Sequence, residues 1–250
     1  MENTTHKMSA TARLINVLIS PTDTFSDINA KPDWLVPVVV ATALAVIGNL
    51  IAIHKLKIDP EKTIRQAIQE QMEKQGKTYE KMSEQEKEQF DEQVKAAATV
   101  QRYGPYMAVV FIPASLAFLA MFFHVGALVL DGKTTYPKVF SITCYSFGMV
   151  CIVLPAILST IVLYIKNPEE VDIMRGIVVT SPAAFLPKDA SPPLIALLTR
   201  FDLFSIWYLI LMVLGLERVG QNMSRAKSIG VVATLWVVWI IITVLSAALS

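Results

Sequence analysis

The chain of 250 residues is strongly apolar: 54% of its residues are hydrophobic and only 17% are charged, with a mean hydropathy of +0.50. A soluble domain carries about 25% charged residues. The 22 Lys/Arg and 21 Asp/Glu leave a formal net charge of +1, so nucleic acid is not an expected partner. Two Cys and three His are too few for a disulfide framework or a multi-histidine metal cage. These numbers exclude a secreted disulfide module and an ordinary cytosolic enzyme, and they indicate an integral membrane protein.

The N-terminal tail, residues 1–33, contains one short amphipathic segment. Residues 8–19 place their large apolar side chains on one helical face, with Arg13 and Asn16 off that face: Leu14, Ile15, Leu18 and Ile19. This pattern predicts a short helix that lies in the membrane interface and ends before Pro21. No cleavable signal peptide is expected in the tail.

Five apolar stretches follow the tail, and each is a candidate membrane span. Four of them carry no formal charge: Trp34–His54, Tyr106–Leu130, Val139–Ile165 and Ile229–Leu249. Each meets the requirement of about 20 residues for a helix that crosses a hydrocarbon core of about 30 Å. None shows the alternation of barrel strands. Residues 34–250 are therefore predicted to form an all-α polytopic membrane domain, a bundle of five transmembrane helices.

The remaining stretch, fourth in chain order, is irregular. The uncharged run between Asp202 and Glu217 is too short to cross a bilayer, so the helix is expected to begin earlier, within residues 194–199. This places Arg200 and Asp202 at or inside the membrane boundary, where a charge is costly and requires a partner. The two charges either reach the headgroups from a helix end or belong to a functional site.

Two long connections join the spans. Residues 55–105 contain the helix start Asp59-Pro60-Glu61 and the capping box Ser83-x-x-Glu86, which predict an extramembrane hairpin of two charged helices. This hairpin is either a structural spacer or a binding surface. Residues 166–200 are interrupted by prolines, which predict an irregular loop with one short helix from Pro168 to Val178.

His124 is the most informative residue of the spans. It shares one helix face with Ala117, Ala120 and Ala127, and Asp131 follows two turns later. Small residues allow helices to approach closely in a membrane, so His124 is expected to point into the bundle. It is then either a proton acceptor or ligand, or a neutral histidine that is hydrogen-bonded to a neighbouring helix. The candidate polar residues of the membrane domain are His124, Asp131, Arg200 and Asp202.

No catalytic or cofactor motif is found in the sequence. It contains no HExxH, no G-x-S-x-G, no P-loop and no G-x-G-x-x-G. Cys144 and Cys151 lie on a small-residue face of the third stretch, which indicates packing and not redox chemistry. We therefore expect no enzyme activity, no catalytic or metal-binding residues and no cofactor.

Several short motifs occur in one order outside residues 55–105: Ile19-Ser20-Pro21, Trp34-Leu35-Val36-Pro37, Asp131-Gly132-Lys133, the run from Phe201 to Trp207, and Ser224-Arg225-Ala226-Lys227. With these motifs and five spans the chain resembles the Ypt-interacting protein (YIP) domain family, in its bacterial form. The resemblance implies a bacterial inner-membrane protein with a cytoplasmic N-terminus. The nearly equal density of Lys and Arg on the two sides leaves orientation open by itself. The resemblance also places Asp202 in a family motif, but it implies no specific activity for bacterial members.

Two functions remain open at this point. The first is a non-enzymatic interaction or organising protein that contacts the lipid bilayer and another membrane or soluble protein, or that forms a homo-oligomer. The second is a small transporter or channel, favoured by prolines inside two spans, Pro113 and Pro155. Its path would be lined by His124, Asp131, Arg200 and Asp202. Convergence of His124 and Asp202 on one cavity would favour transport, and separate packing environments would favour interaction.

Overall fold

The structure is a computed structural model that describes residues 8–74, 78–167, 171, 176–187 and 190–249. Most of the predicted helix from Pro168 to Val178 lies outside the described residues. Within them the regular structure is helical, which confirms the prediction of an all-α polytopic membrane protein.

The described part of the chain contains ten α-helices. A π-helical segment, Cys144–Val153, joins the sixth and seventh into one continuous helix. The helices are α1 (Ala10–Ile19), α2 (Pro21–Ala30), α3 (Leu35–Lys55), α4 (Pro60–Lys74), α5 (Glu84–Val129), α6 (Tyr136–Thr143), α7 (Leu154–Ile165), α8 (Pro192–Thr199), α9 (Leu203–Val219) and α10 (Arg225–Leu249).

Four helices are long and apolar enough to cross a membrane: α3, α5, α10 and the continuous helix Tyr136–Ile165, which we call the third span. A fifth span results if α8 and α9, which meet at an angle of 48°, cross together. A helix was expected to start within residues 194–199, and α8 occupies this region. It is not continuous with α9, because the carboxylate of Asp202 accepts hydrogen bonds from the backbone N–H groups of Phe204 and Ser205 and caps a new helix.

Two helices, α1 and α2, precede the first span where one interfacial helix was predicted. Ile15 and Ile19 of α1 are exposed, in keeping with a helix whose apolar face meets lipid. Arg13 departs from the prediction because only 2% of the residue is exposed. The opposite face of α1, with Arg13 and Val17, packs against protein.

The first and third spans run parallel to each other. The rings of Trp34 and Phe140 lie 5.4 Å apart near the starts of the two helices. Further along, a Cβ placed on Gly48 would be 3.6 Å from the Cβ of Ala156, so small residues hold the two backbones together. Both spans therefore start on the same side of the bundle, which we call the N-terminal side.

The turns on the N-terminal side are residues 130–135, between α5 and α6, and residues 220–224, between α9 and α10. Lys133 and Gln221 exchange two backbone hydrogen bonds, of 2.9 and 3.1 Å, which pair these two turns. The opposite, far side carries residues 55–105 and the connection that begins at residue 166.

Residues 55–105, which we call the hairpin, do not contain a separate second helix. α5 starts at the predicted capping box of Ser83 and Glu86 and continues for 46 residues through the second span. α4 packs against its first part, where Phe90 is buried and Arg65 forms a 2.8 Å ion pair with Asp91. Separate helices were expected because the sequence changes from polar to apolar near Tyr106. The change in polarity does not interrupt helical backbone hydrogen bonds, which lie within the helix itself.

Candidate functional site

His124 lies near the N-terminal side, next to the turn that follows its own helix. Its Nδ1 atom is 2.8 Å from Oγ1 of Thr134. Its ring packs edge to face against the ring of Tyr136, with the two centroids 6.0 Å apart. The hydroxyl of Tyr136 donates to the carbonyl of Ala117 at 2.9 Å. The hydrogen-bond partner of His124 is therefore a turn residue and not a residue of another span. The bond fixes the ring against the turn.

Asp131 lies just after the end of α5, in the turn of residues 130–135 on the N-terminal side. Its backbone adopts the left-handed conformation, with φ of 57°, and Asn222 in the paired turn does the same, with φ of 65°. The side-chain amide of Asn222 donates to Oδ2 of Asp131 at 2.8 Å and to its carbonyl at 3.1 Å. Asp131 is exposed, and these two hydrogen bonds connect the two turns.

Arg200 and Asp202 lie at the far end of α9. Oδ1 of Asp202 accepts from the N–H groups of Phe204 and Ser205, each at 3.0 Å, which satisfies two orphan donors of the helix start. Arg200 is half-buried, and its Nε atom is buried without a hydrogen-bond partner. Near this break the rings of Phe201 and Trp236 pack edge to face at 5.1 Å.

The four predicted polar residues form two groups at opposite ends of the bundle. The 17 residues of α9 separate Asp202 from the turn that contacts Asp131, a distance of about 25 Å at 1.5 Å per residue. His124 and Asp202 therefore do not converge on one cavity. Among the described residues, no group of three or more His, Cys, Asp or Glu is arranged to hold a metal ion.

A buried ionic cluster at Arg13 was not found by sequence reasoning. Nε of Arg13 donates to Oδ2 of Asp27 at 2.7 Å, Nη1 donates to the carbonyl of Lys31 at 3.0 Å, and Nη2 donates to the carbonyl of Asp27 at 3.4 Å. The side chain of Arg13 is 3% exposed and that of Asp27 is 15% exposed. The guanidinium thus joins α1 to α2 and to the turn that leads into the first span.

The cluster continues into the third span through Asp33 and Tyr145. Oδ2 of Asp33 lies 3.9 Å from Nη1 of Arg13 and accepts a 3.3 Å hydrogen bond from the hydroxyl of Tyr145. The same hydroxyl lies 3.5 Å from the carbonyl of Ala10. A cavity of about 470 Å³ adjoins the cluster and is lined by Met8, Ser9, Ala10, Arg13, Lys31, Pro32 and Asp33. α1 and α2 are therefore held to the bundle by buried charge and by apolar contacts of Phe25 and Ile28.

The sequence did contain a signal for this cluster. Arg13 and Val17 are four residues apart and share one helix face, so the side chain of Arg13 is buried when that of Val17 is buried. Three aspartates, Asp23, Asp27 and Asp33, follow in a short region where Lys31 is the only other described cation before the span. A cation that shares a helix face with a buried apolar residue, in a region with more carboxylates than cations, predicts a buried ion pair.

The described part of the hairpin presents a polar surface on the far side. Asp91 pairs with Arg65 and raises the pKa of its guanidinium, and the ring of Tyr79 packs on Phe90 with centroids 5.1 Å apart. Glu88 and Glu92, one helical turn apart on α5, are both exposed. A shallow depression of about 320 Å³ adjoins Glu92 and is lined by Gln89, Glu92, Gln93 and Ala96.

Comparison with known proteins identifies the family. The Yip1 domain matches residues 15–247 of the chain. This protein belongs to the Yip1 domain family. It is 23% identical over 233 residues to membrane protein YknW of Bacillus subtilis (strain 168), an alignment that covers 90% of this chain and 88% of that protein. No solved structure matches the chain. The predicted resemblance to bacterial members of the family is therefore confirmed.

The Yip1 match covers both groups of polar residues but only part of the buried cluster. It includes all four predicted residues, and it includes Asp27, Asp33 and Tyr145 of the cluster. Arg13 lies two positions before its first residue. A Yip1 domain cut at its matched boundary would lack the arginine that neutralises these carboxylates in the full chain.

Proposed function

We propose that this Yip1-family protein is a non-enzymatic interaction or organising protein of the bacterial inner membrane, and that it holds another membrane or soluble protein through the hairpin. The unbroken course of α5 carries this proposal. α5 connects the hairpin to the second span without a flexible linker, so a partner bound to the hairpin is held in a defined position relative to the bundle. A spacer would not require this direct connection.

The surface chemistry of the hairpin supports a protein partner. α4 covers one face of α5 through Phe90 and Val94, and the opposite face is left free with Glu88 and Glu92 exposed. Two carboxylates one turn apart on a preformed helix attract basic residues of a partner and fix its position along the helix. The partner is therefore expected to present lysine or arginine side chains to this face.

The separation of His124 from Asp202 also favours interaction over transport. His124 is bonded to a turn on the N-terminal side, and the carboxylate of Asp202 caps α9 on the far side. Separate packing environments for His124 and Asp202 are the arrangement that we expected of an interaction protein.

Photocrosslinking in native membranes tests the function. A photoreactive amino acid is placed at Glu92, and a matched one at Phe118, which is 60% exposed on the second span. The expected result is one defined protein adduct from position 92 that decreases when Glu88 is changed to Lys. No adduct from exposed hairpin positions, or the same adduct from position 118, would refute the proposal. Deleting residues 55–105 is a poorer test, because it removes the first part of α5.

The orientation is tested by labelling single cysteines. Cys144 and Cys151 are free and lie inside the third span, and replacing both with alanine gives a background for new cysteines. We expect Glu92→Cys to react with a membrane-impermeant maleimide in intact spheroplasts, and Ala226→Cys to react only after permeabilisation. The reverse pattern would place the hairpin in the cytoplasm.

A further inference from the structure

Asn49 is a polar side chain on the outer surface of the first span. It lies in α3, which extends from Leu35 to Lys55. At about 1.5 Å per residue, Asn49 is about 21 Å from the start of this helix and about 9 Å from its end, within the hydrocarbon core. The structure nevertheless leaves the residue exposed.

The hydrogen-bonding capacity of Asn49 is only partly used. Its Nδ2 donates to the carbonyl of Ala45, one turn back in the same helix, at 2.8 Å. A carboxamide has two N–H donors and an oxygen acceptor. The second N–H and Oδ1 have no partner among the described residues, and an unpaired amide on the outer surface of a membrane span is unfavourable because hydrocarbon offers no hydrogen bond.

Two hydroxyl side chains of the spans, exposed Ser115 and partly exposed Thr243, behave differently. The hydroxyl of Ser115 donates to the carbonyl of Ile112 at 2.9 Å, and that of Thr243 donates to Trp239 at 3.0 Å. A hydroxyl has one proton, and in both residues that proton is used within the helix. Asn49 retains a donor after its intrahelical bond, so its exposure calls for a partner from outside the chain.

We propose that Asn49 marks an interface at which two copies of this protein pair through their first spans. Copies of one chain have the same orientation in the membrane, so a two-fold axis along the membrane normal makes the two α3 helices parallel. This symmetry brings both Asn49 side chains to the same depth. Each amide then donates to the oxygen of the other, and the remaining donor and acceptor are satisfied together.

The surroundings of Asn49 suit such a contact. Leu50 is 38% exposed, and Val46 and Ile53 on the neighbouring turns are partly exposed. These apolar side chains would pack around the amide pair and exclude lipid from it. A different protein would satisfy Asn49 only with a polar group at this same depth, whereas a second copy supplies one by symmetry.

Oligomer measurements on the full-length protein test the interface. The chain is labelled with fluorophores and reconstituted into phosphatidylethanolamine and phosphatidylglycerol liposomes, and dimer formation is followed by energy transfer as the protein-to-lipid ratio is varied. We expect Asn49→Leu to weaken the dimer about ten-fold, since an interhelical hydrogen bond of an amide in a membrane accounts for a change of this order. Asn49→Gln should keep most of the affinity, and the control Ser115→Ala should leave it unchanged.

A stability measurement separates the interface from a structural role. Asn49→Leu places an apolar side chain against lipid, so the unfolding midpoint of the monomer in detergent should not fall. Crosslinking locates the contact: in the Cys144→Ala, Cys151→Ala background, Leu50→Cys should form a disulfide-linked dimer and Phe118→Cys should not.

Three results would overturn the proposed interface. They are a protein that stays monomeric at every lipid ratio, a dimer that Asn49→Leu leaves intact, and crosslinking through position 118 instead of position 50. Loss of the hairpin adduct from position 92 would refute the hairpin proposal alone, because the Asn49 contact does not depend on the hairpin.

Discussion

Arg13 is a charged side chain that the fold surrounds almost completely. Its guanidinium is neutralised by Asp27 and also bonds to two backbone carbonyls, which satisfies each of its three nitrogen atoms. Removing charges from water is costly, and a buried pair tolerates this only when hydrogen bonds are well made. The cluster therefore fixes where α1 and α2 sit, more than it adds net stability over apolar packing.

Removing one member of this pair should be strongly destabilising. Arg13→Ala leaves the carboxylate of Asp27 without its cation, and we expect a loss of about 3 kcal/mol in unfolding free energy. Unfolding in mixed detergent micelles measures it. Arg13→Lys should recover part of the loss, because lysine supplies the charge without the planar fork. Lys31→Ala, which removes an exposed side chain of the same region, is the control and should change stability little.

His124 and Thr134 should behave as one unit. His124→Ala and Thr134→Val each remove the same 2.8 Å hydrogen bond, so the double variant should lose less than the sum of the single losses. We expect a coupling free energy of about 1 kcal/mol from a double-mutant cycle. Purely additive losses would show that the contact contributes nothing. A loss of function in His124→Ala beyond this loss of stability would revive a chemical role for the ring.

Residue-level prediction succeeded where the pattern was local. Ala120 and Ala127, assigned to the small-residue face that they share with His124, are fully buried. It failed for Arg13 because a helical projection ranks faces by hydrophobicity, whereas α1 meets lipid on one side and protein on another. Nor does a projection show that Tyr145, more than a hundred residues later, brings a hydroxyl to Asp33.

The break between α8 and α9 is produced by one capping side chain. Asp202 accepts from two backbone N–H groups that α9 would otherwise leave unpaired at the membrane boundary. The length of the apolar sequence predicted that the fourth helix begins within residues 194–199, but it did not predict the break between α8 and α9. Hydropathy averages over a window and therefore does not register a single N-cap in extended conformation.

Substitutions at Asp202 separate capping from charge. Asp202→Ala should cost about 1 kcal/mol of unfolding free energy, the usual loss of an N-cap. Asp202→Asn should cost almost nothing, because asparagine caps as well as aspartate. Both are read from unfolding in detergent. If the asparagine variant were as unstable as the alanine variant, the charge and not the cap would be the important property.

The whole molecule is closed on the N-terminal side by two paired turns. Besides the bridge between Lys133 and Gln221, Gly132 is packed so tightly that an added Cβ would overlap the side chain of Met223 and lie 2.9 Å from the carbonyl oxygen of Ala127. One turn follows α5 and the other precedes α10, so the pairing of the turns links the end of α5 to the start of α10. Their pairing adds a polar contact to spans that associate mainly by packing.

A methyl group at Gly132 should disturb this closure. We expect Gly132→Ala to lower the unfolding free energy by about 1–3 kcal/mol, the cost of overpacking. Gly104→Ala is the matched control, since no atom lies within 4 Å of its added Cβ and alanine favours the helix. Amide exchange at Lys133 and Gln221 reports on the bridge directly. Equal stability of the two variants would show that the turn adjusts without cost.

At the scale of the molecule, hydropathy predicted a polytopic helical bundle, and the structure has four helices of spanning length and a fifth span if α8 and α9 cross together. It did not predict that α5 unites the hairpin with the second span, or that α1 and α2 dock into the bundle. Both features depend on contacts between distant segments, such as Arg65 with Asp91 and Arg13 with Asp27. Such pairings are set by three-dimensional packing: the spacing of Arg13 and Val17 indicates a shared helix face, but it does not identify the carboxylate that the arginine meets.

The continuous course of α5 gives the molecule a mechanical property. The helix is about 69 Å long, and a tilt of about 10° about the membrane boundary would move the hairpin tip by about 5 Å. Near the change from polar to apolar sequence lie Gly104, which lacks a side chain, and Pro105, which lacks an N–H, so the helix bends more readily there than in the turns before it. A force on a partner bound to the hairpin is therefore transmitted along α5 to the second span, and a small bend at this point displaces the partner by only about 5 Å.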